Sequence, residues 1–206
     1  PWHGVPLGPE APAVVTAYVE IVPSDTVKFE IDKPTGLLKV DRPQQFSNVC
    51  PTLYGFLPQT YCGNRVAALS RRRTGRETVK GDGDPLDVCI LTENAFPRGD
   101  VLLQACPIGG LHMLDHDEAD DKILAVLKGD VAFGQIRDIG ELPNAQIDRL
   151  KHYFLTYKSL PGTNAVEITH TYGHDDACEV IERSREDYQE RFPDLKERLF
   201  AALAGG

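Results

Sequence analysis

The chain has 206 residues, 41% of them hydrophobic, so it can bury a sizeable core, and its length fits one domain (1–206) better than two small ones. A net charge of −9 argues against a nucleic-acid binder, which needs a basic face. No apolar run approaches the roughly 20 residues of a membrane span, and the first residues lack the charged-then-apolar pattern of a signal peptide. The five cysteines (Cys50, Cys62, Cys89, Cys106, Cys178) are odd in number and widely spaced, which suits reduced thiols and a cytoplasmic setting.

Residues 1–12, rich in proline and glycine, read as an extended arm. Val14 to Val22 then alternates apolar with polar residues, Pro23-Ser24-Asp25 breaks the run, Val27 to Ile31 alternates again, and Leu37 to Val40 follows the Pro34-Thr35-Gly36 turn. That period predicts an opening antiparallel meander. Residues 58–80 carry Arg65, Arg71, Arg72, Arg73, Arg76 and Lys80 with little strand pattern, and read as a long basic inserted loop with at most a helical turn around Val66 to Arg72. Further strands are expected at Leu86 to Leu91, Val101 to Cys106, Gly109 to Leu114 and Lys122 to Leu127. Short strands with frequent turns favour a closed barrel.

Helical spacing begins at Pro143, with Ile147, Leu150, Phe154 and Tyr157 on one face. A strand from Ala165 to His170 follows. Asp175 or Asp176 would then cap C-terminal helices over residues 177–206, the first running to about Arg191 and a shorter one beyond Pro193.

Three carboxylates, Asp82, Asp84 and Asp87, fall within six residues, with Gly81 and Gly83 allowing tight backbone geometry. Like charges so close repel unless cations neutralise them, and hard oxygen donors suit Mg²⁺, Mn²⁺ or Ca²⁺. Asp87 sits on an apolar strand, which sets this cluster apart from a solvated acidic turn. An EF-hand register starting at Asp82 fails at Leu86 and Asp87. A second acidic group, Asp115 to Asp121, also fails as an EF-hand, and on its own it suits a solvated hairpin tip. Glu20, Lys28 and Glu30 share even spacings that suit either a pocket wall or an ordinary cross-strand charge ladder. His170 and His174 precede or follow a β-branched run and Gly173, and a structural role is expected of both.

Taken in order, these groups resemble the family I soluble inorganic pyrophosphatases. The most specific part is Asp82-Gly83-Asp84-Pro85-Leu86-Asp87-Val88, similar to the D-x-D-P-x-D-x signature, beside Lys28 to Lys33, Val40-Asp41-Arg42, Tyr54-Gly55-Phe56, and Asp115 with Asp120 and Lys122. The resemblance implies an α+β, mainly β fold: a five-stranded OB-like closed barrel flanked by helices. It also implies Mg²⁺-dependent hydrolysis of inorganic pyrophosphate to two orthophosphates by a metal-activated hydroxide, with three or four ions per active site and Mn²⁺ or other divalent ions as alternatives.

By carry-over, Asp82, Asp87, Asp115, Asp120 and Glu30 are metal ligands and Asp84 is the catalytic base. Lys28, Arg42, Lys122, Tyr157 and Lys158 bind substrate, and Glu20 and Tyr54 support the pocket. A homo-oligomer, dimer or hexamer, is the implied assembly. Two features depart from the pattern. Cys50 stands where a second tyrosine is usual, with Tyr61 as a substitute for the missing hydroxyl. The basic segment 58–80 stands where many relatives have a short link, which places it at the active-site mouth or a subunit contact. A catalytically silent ligand-binding scaffold and a calcium-binding structural module are the competing readings.

Overall fold

The structure is a computed structural model that describes residues 1–44, 47–158 and 166–195. Its strands are β1 (Val15–Ile21), β2 (Val27–Ile31), β3 (Leu38–Pro43), β4 (Leu53–Phe56), β5 (Lys80–Gly81), β6 (Asp87–Leu91), β7 (Val101–Asp115), β8 (Glu118–Ala119), β9 (Lys122–Leu127) and β10 (Val166–Gly173). The helices are α1 (Asn64–Thr74), α2 (Asn144–Thr156) and α3 (His174–Arg191), with a single 3-10 turn at Ile139–Glu141. The result is a sheet-dominated α+β fold.

Five strands pair in a closed circuit: β1 with β4, β4 with β6, β6 with β9, β9 with β7, and β7 with β1. Only the β6–β9 contact of this ring is parallel, and it sets Asp87 beside Lys122. Side chains alternate across the ring strands. Val88, Ile90, Ile123 and Ala125 join the core with α1 and α3, while Cys89, Leu91, Leu124 and Val126 join the core under α2. Both faces are covered, so these strands read as continuous apolar runs.

The expected opening meander is corrected. β2 and β3 form a separate two-stranded hairpin, whereas β1 leaves them to pair with β4 and β7. The Asp25 carboxylate accepts from the Val22 N–H at 2.8 Å, which closes the turn that takes the chain out of the main sheet. β7 is likewise one 15-residue strand where two were expected. Pro107, which has no N–H, and Gly109 (φ 157°) produce a bulge between them, not a break. A bent strand of that length can then serve β1, β9, β8 and β10 in turn.

The basic segment 58–80 contains an 11-residue helix instead of a loop. Val66, Leu69, Ser70 and Arg73 recur at steps of three and four, an inward stripe that the surrounding arginines obscure in the sequence. The helix opens on Gly63, which has no side chain to cap it, and the buried Asp187 of α3 supplies the cap by accepting from the N–H groups of Gly63, Arg65 and Val66. Gly75, in the left-handed region at φ 70°, closes it. Its arginines pair with α3 and β10: Arg65 with Glu190, Arg72 with Glu179, Arg76 with Glu167.

α2 begins where Pro143 predicts. At α3 neither Asp175 nor Asp176 caps the first turn; Asp138, 36 residues upstream, accepts from the His174 N–H at 2.8 Å. The N-terminal arm is packed rather than free: Trp2 and Leu7 are buried, and Trp2 Nε1 donates to the Thr60 carbonyl at 2.8 Å. All five cysteines are free thiols. The expected strand start at Ala165 and the helical tail over residues 196–206 lie outside the described residues.

Removing the Asp187 carboxylate strands the N–H groups of Arg65 and Val66 and leaves Gly63 only its bond to the Tyr61 carbonyl. Asp187→Ala is expected to lower unfolding free energy by about 2 kcal/mol in urea titration. His112 is fully buried on β7, bonded to Ser70 and Thr169, and stacked on His170 at 5.0 Å. Burial, with His170 and Arg73 nearby, lowers its pKa from 6.5 to about 4. Between those values the unfolded chain takes up a proton that folded His112 refuses, so stability falls as pH drops through this window. In His112→Gln the slope of unfolding free energy against pH is expected to be shallower from about 6.5 to 4 than in the wild type.

Candidate active site

All thirteen site residues expected from the sequence line one cleft of about 370 Å³. The hairpin β2–β3 forms one wall, with Lys28 and Arg42 opposite each other in register and Glu30 two residues along. The segment before β6, together with β6 itself, supplies Asp82, Asp84 and Asp87. The far end of β7 gives Asp115, the approach to β9 gives Asp120, and β9 gives Lys122. Tyr157 and Lys158, just past α2, close the rim, and Glu20 on β1 and Tyr54 on β4 form the floor.

The acidic segment is tight because it is laid on the backbone of residues 62–63. Cys62 N–H donates to the Asp84 carbonyl at 2.8 Å, and Gly83 N–H donates to the Cys62 carbonyl at 3.1 Å. A Cβ at Gly81 would stand 2.1 Å from that same carbonyl, so only glycine fits there. Gly83 adopts φ 77°, the left-handed conformation that glycine takes without strain.

Lys122 is the electrostatic centre. It is buried to 2% exposure, and its Nζ lies 2.5 Å from both Asp87 and Asp120. Burial pulls its pKa down, but the two carboxylates outweigh that and hold it well above the usual ammonium range. Tyr54 donates to Asp87 at 2.6 Å and lies beneath Lys122. Burial, with Asp87 beside it, pushes the Tyr54 phenol up, which keeps it a donor. Asp115 is paired with Lys158 and Asp84 with Lys33. Burial opposes the ionised form of Asp115, yet Lys158 prevails and its pKa is lowered.

Two acids remain uncompensated. Burial and the nearby Asp120 push Asp82 up to about 8, and burial and Asp87 push Glu20 up to about 8. Glu20 also accepts the Ile31 N–H at 2.6 Å, tying the hairpin to β1. On the opposite wall, the Arg42 guanidinium lies 5.7 Å from the Tyr157 ring and Lys158 lies 5.3 Å from it.

The cleft includes charged residues that sequence reasoning did not place in it: Lys33, Asp41 and Glu118. Lys33 and Asp41 stand inside stretches already noted, but strand alternation from Lys28 and Glu30 does not lead to either. Cys50 is buried in the core beside α2 and does not line the cleft, and Tyr61, named as a source of the missing hydroxyl, is not a lining residue either; its ring packs edge-on against Phe192. The basic segment does not reach the cleft mouth either, since α1 contributes no lining residue.

Counted together, nine carboxylates and five basic side chains line the cleft. Among the described residues no three acids converge on one point closely enough to hold a cation as they stand. Lysine ammonium groups occupy the positions between them instead, which is where a cation would be attracted. Hard oxygen donors that crowd in this way suit a hard divalent ion.

The sequence model of the inorganic pyrophosphatase family matches residues 17–189. The chain belongs to the inorganic pyrophosphatase family. An inorganic pyrophosphatase of Chlamydia trachomatis is 52% identical over 194 residues, covering 91% of this chain and 93% of that one. A soluble inorganic pyrophosphatase of rice is 37% identical, covering 91% of this chain and 78% of its own. Among solved structures, inorganic pyrophosphatase from Thermus thermophilus superposes with TM-score 0.76 at 28% identity, covering 91% of this chain and 98% of that chain. The type I enzyme of Toxoplasma gondii gives 0.79 at 26%, covering 92% and 87%.

The arrangement of the cleft depends on a buried ammonium. Lys122→Met leaves Asp87 and Asp120 facing each other without a counter-charge. It is expected to cost about 3 kcal/mol of unfolding free energy in chelator-treated protein, read by urea titration.

Proposed function

We propose that this protein is a divalent-metal-dependent inorganic pyrophosphatase that hydrolyses pyrophosphate to two orthophosphates. The observation that carries this reading is the charge balance of the cleft. With nine carboxylates and five basic groups it is net negative when all are ionised, yet its basic groups are arranged around a space the size of a small polyanion. Such a cleft attracts a phosphoanhydride only when cations are bound with it.

Asp82, Asp87, Asp115, Asp120 and Glu30 are the proposed ligands, in general of Mg²⁺, with three or four ions per cleft. When bound, these ions neutralise phosphate charge and acidify water. Lys28, Arg42, Lys122, Tyr157 and Lys158 are assigned to the phosphate oxygens. Their long side chains converge from the hairpin, β9 and the end of α2, so the two ends of a diphosphate are gripped from opposite walls and the bridging bond is oriented for in-line attack. The cationic groups also offset the charge that develops on the departing phosphate.

Asp84 is the proposed base. It lies in the cleft with a half-exposed side chain, and Lys33 holds one carboxylate oxygen. The other oxygen is assigned to take a proton from the attacking water. Glu20 and Tyr54 act beneath, fixing the hairpin through Ile31 and orienting Asp87.

The ring of five strands supports reading the scaffold as an OB-like closed barrel. The family match from 17 to 189 supports a single domain. Among the described residues no helix is long and apolar enough to cross a membrane; with the free thiols this supports a cytoplasmic enzyme. Homo-oligomeric assembly, a dimer or hexamer, follows from the family resemblance and is decided by sedimentation. A silent scaffold has lost its support, because Cys50 and the basic segment both lie off the cleft.

The test is phosphate release from pyrophosphate with Mg²⁺. Asp84→Asn is expected to lower kcat by about 10²–10⁴-fold with little change in melting temperature, since the side chain is half exposed. A wild-type protein that releases no phosphate would overturn the proposal.

A further inference from the structure

The arm that precedes β1 is docked behind residues that line the cleft. Trp2 is 6% exposed and is not itself a lining residue. It shares an apolar cluster with Tyr18, Ile31, Phe56 and Tyr188, and Leu38 and Phe192 pack against that cluster. Ile31 and Leu38 are partners across the β2–β3 hairpin. Ile31 and Phe56 also line the cleft, so the cluster backs directly onto it.

Contacts run from Trp2 to both walls. Towards the hairpin, Lys33 Nζ lies 6.0 Å from the Trp2 ring centroid, at cation–π range, and Lys33 pairs with Asp84 in the cleft. A Cβ on Gly36 would stand 3.7 Å from Cδ of Pro1, so residues 1–2 lie against the turn at 33–36. Towards the acids, Trp2 Nε1 donates to the Thr60 carbonyl at 2.8 Å, and the Gln59 N–H donates to the Trp2 carbonyl at 2.9 Å. The Thr60 hydroxyl in turn accepts from the N–H of Leu86, which stands between Asp84 and Asp87, at 2.9 Å.

α3 holds the arm from behind. The Phe192 ring stands edge-on to Trp2 at 5.7 Å, and the Tyr188 hydroxyl lies 2.9 Å from His3 Nδ1. The hairpin needs such support, because it is a two-stranded unit outside the main sheet and a lone hairpin has little stability of its own. Glu20 ties it at the Ile31 N–H, and Trp2 covers the turn beyond that point.

We propose that Trp2 is a positioning residue for the active site, bracing the hairpin turn against Thr60 and α3 so that Lys28 and Arg42 face the acidic segment at a fixed separation. The inference rests on reading Lys28 and Arg42 as substrate-binding groups. It gives the arm a role in the reaction that needs no contact with substrate or metal.

The test combines hydrogen exchange of metal-free protein, followed by mass spectrometry, with KM and kcat for pyrophosphate hydrolysis. Trp2→Ala is expected to speed exchange across residues 27–43 about tenfold. It is also expected to raise KM about tenfold and lower kcat less than about threefold, because a hairpin in place in only a fraction of molecules weakens apparent affinity by that fraction. Trp2→Phe keeps a ring in the cluster and should bring exchange and KM back to within about threefold of wild type. Leu7→Ala is the control: Leu7 is buried in a core cluster that contains no hairpin residue, so its loss should lower the melting temperature and leave hairpin exchange and KM unchanged. Should Trp2→Ala fail to fold, Trp2→Leu carries the same expectations. Wild-type hairpin exchange or a wild-type KM in the Trp2 variant would overturn the inference, as would a Leu7→Ala that raises KM equally. Lys28→Met separates the two readings. If it raises KM while Trp2→Ala does not, only this inference is lost; if it changes nothing, the reading of the cleft fails, and hairpin exchange still decides whether Trp2 is the brace.

Discussion

A buried ammonium between two carboxylates is the constraint on which the rest of the molecule turns. Lys122 reaches Asp87 because β6 and β9 are parallel neighbours in a register that sets those residues side by side. It reaches Asp120 because the two stand two residues apart on one chain. The contact with Asp87 does not survive a shift of one residue, since the side-chain period of a strand is two and a slip would turn Lys122 away from it. Charge pairing at the cleft and apolar alternation in the strands therefore specify the same register. Ile123 and Ala125 face one core and Leu124 and Val126 the other only when Lys122 faces Asp87.

The division of labour around that pair follows from how each wall is built. The acidic segment is held by backbone hydrogen bonds to residues 62–63, with glycine where any side chain would collide, so its carboxylates are fixed in place before any ligand arrives. The hairpin wall is joined to the ring chiefly through Glu20 and the Ile31 N–H, and its tip exposes Leu37 and Val40. Acids and bases are interleaved on both walls, with Lys122 and Lys158 set among the acids and Glu30 and Asp41 beside Lys28 on the hairpin. Preorganised charge supplies most of the benefit in phosphoryl transfer, where the protein has little covalent chemistry to perform.

How much of this the sequence reveals depends on the distance over which each feature is determined. Lys122 to Leu127 reads as a strand from its own composition and is one, and the Asp82–Asp87 cluster announces its chemistry because all three acids lie within one short segment. Asp115 and Asp120 read as a hairpin tip by themselves, and join the site only when taken together with the first acidic cluster and the family resemblance. The caps of α1 and α3 come from Asp187 and Asp138, too far along the chain for any local pattern to assign them. β7 was split in two because Pro107 reads as a terminator, whereas the bulge after it lets a single strand bend and continue. Lys33 enters the cleft by contact with Asp84, 51 residues away, and no spacing rule predicts that pairing.

The basic segment is the sharpest case, because counting its charges led to the wrong element. Six cations in a short stretch suggest a solvated excursion, but a helix sorts the four it carries, Arg65, Arg71, Arg72 and Arg73, by position. Arg65, Arg72 and Arg76 lie outward and make exposed pairs with α3 and β10, each worth little on its own. Arg73 lies on the stripe of Val66 and Leu69, where its side chain is largely covered and is matched by Asp176 and the Tyr172 ring. Net charge therefore says nothing about the segment's role. Phase along the helix does: it turns Arg73 inward over the Tyr172 ring while leaving Arg65 and Arg72 at the surface.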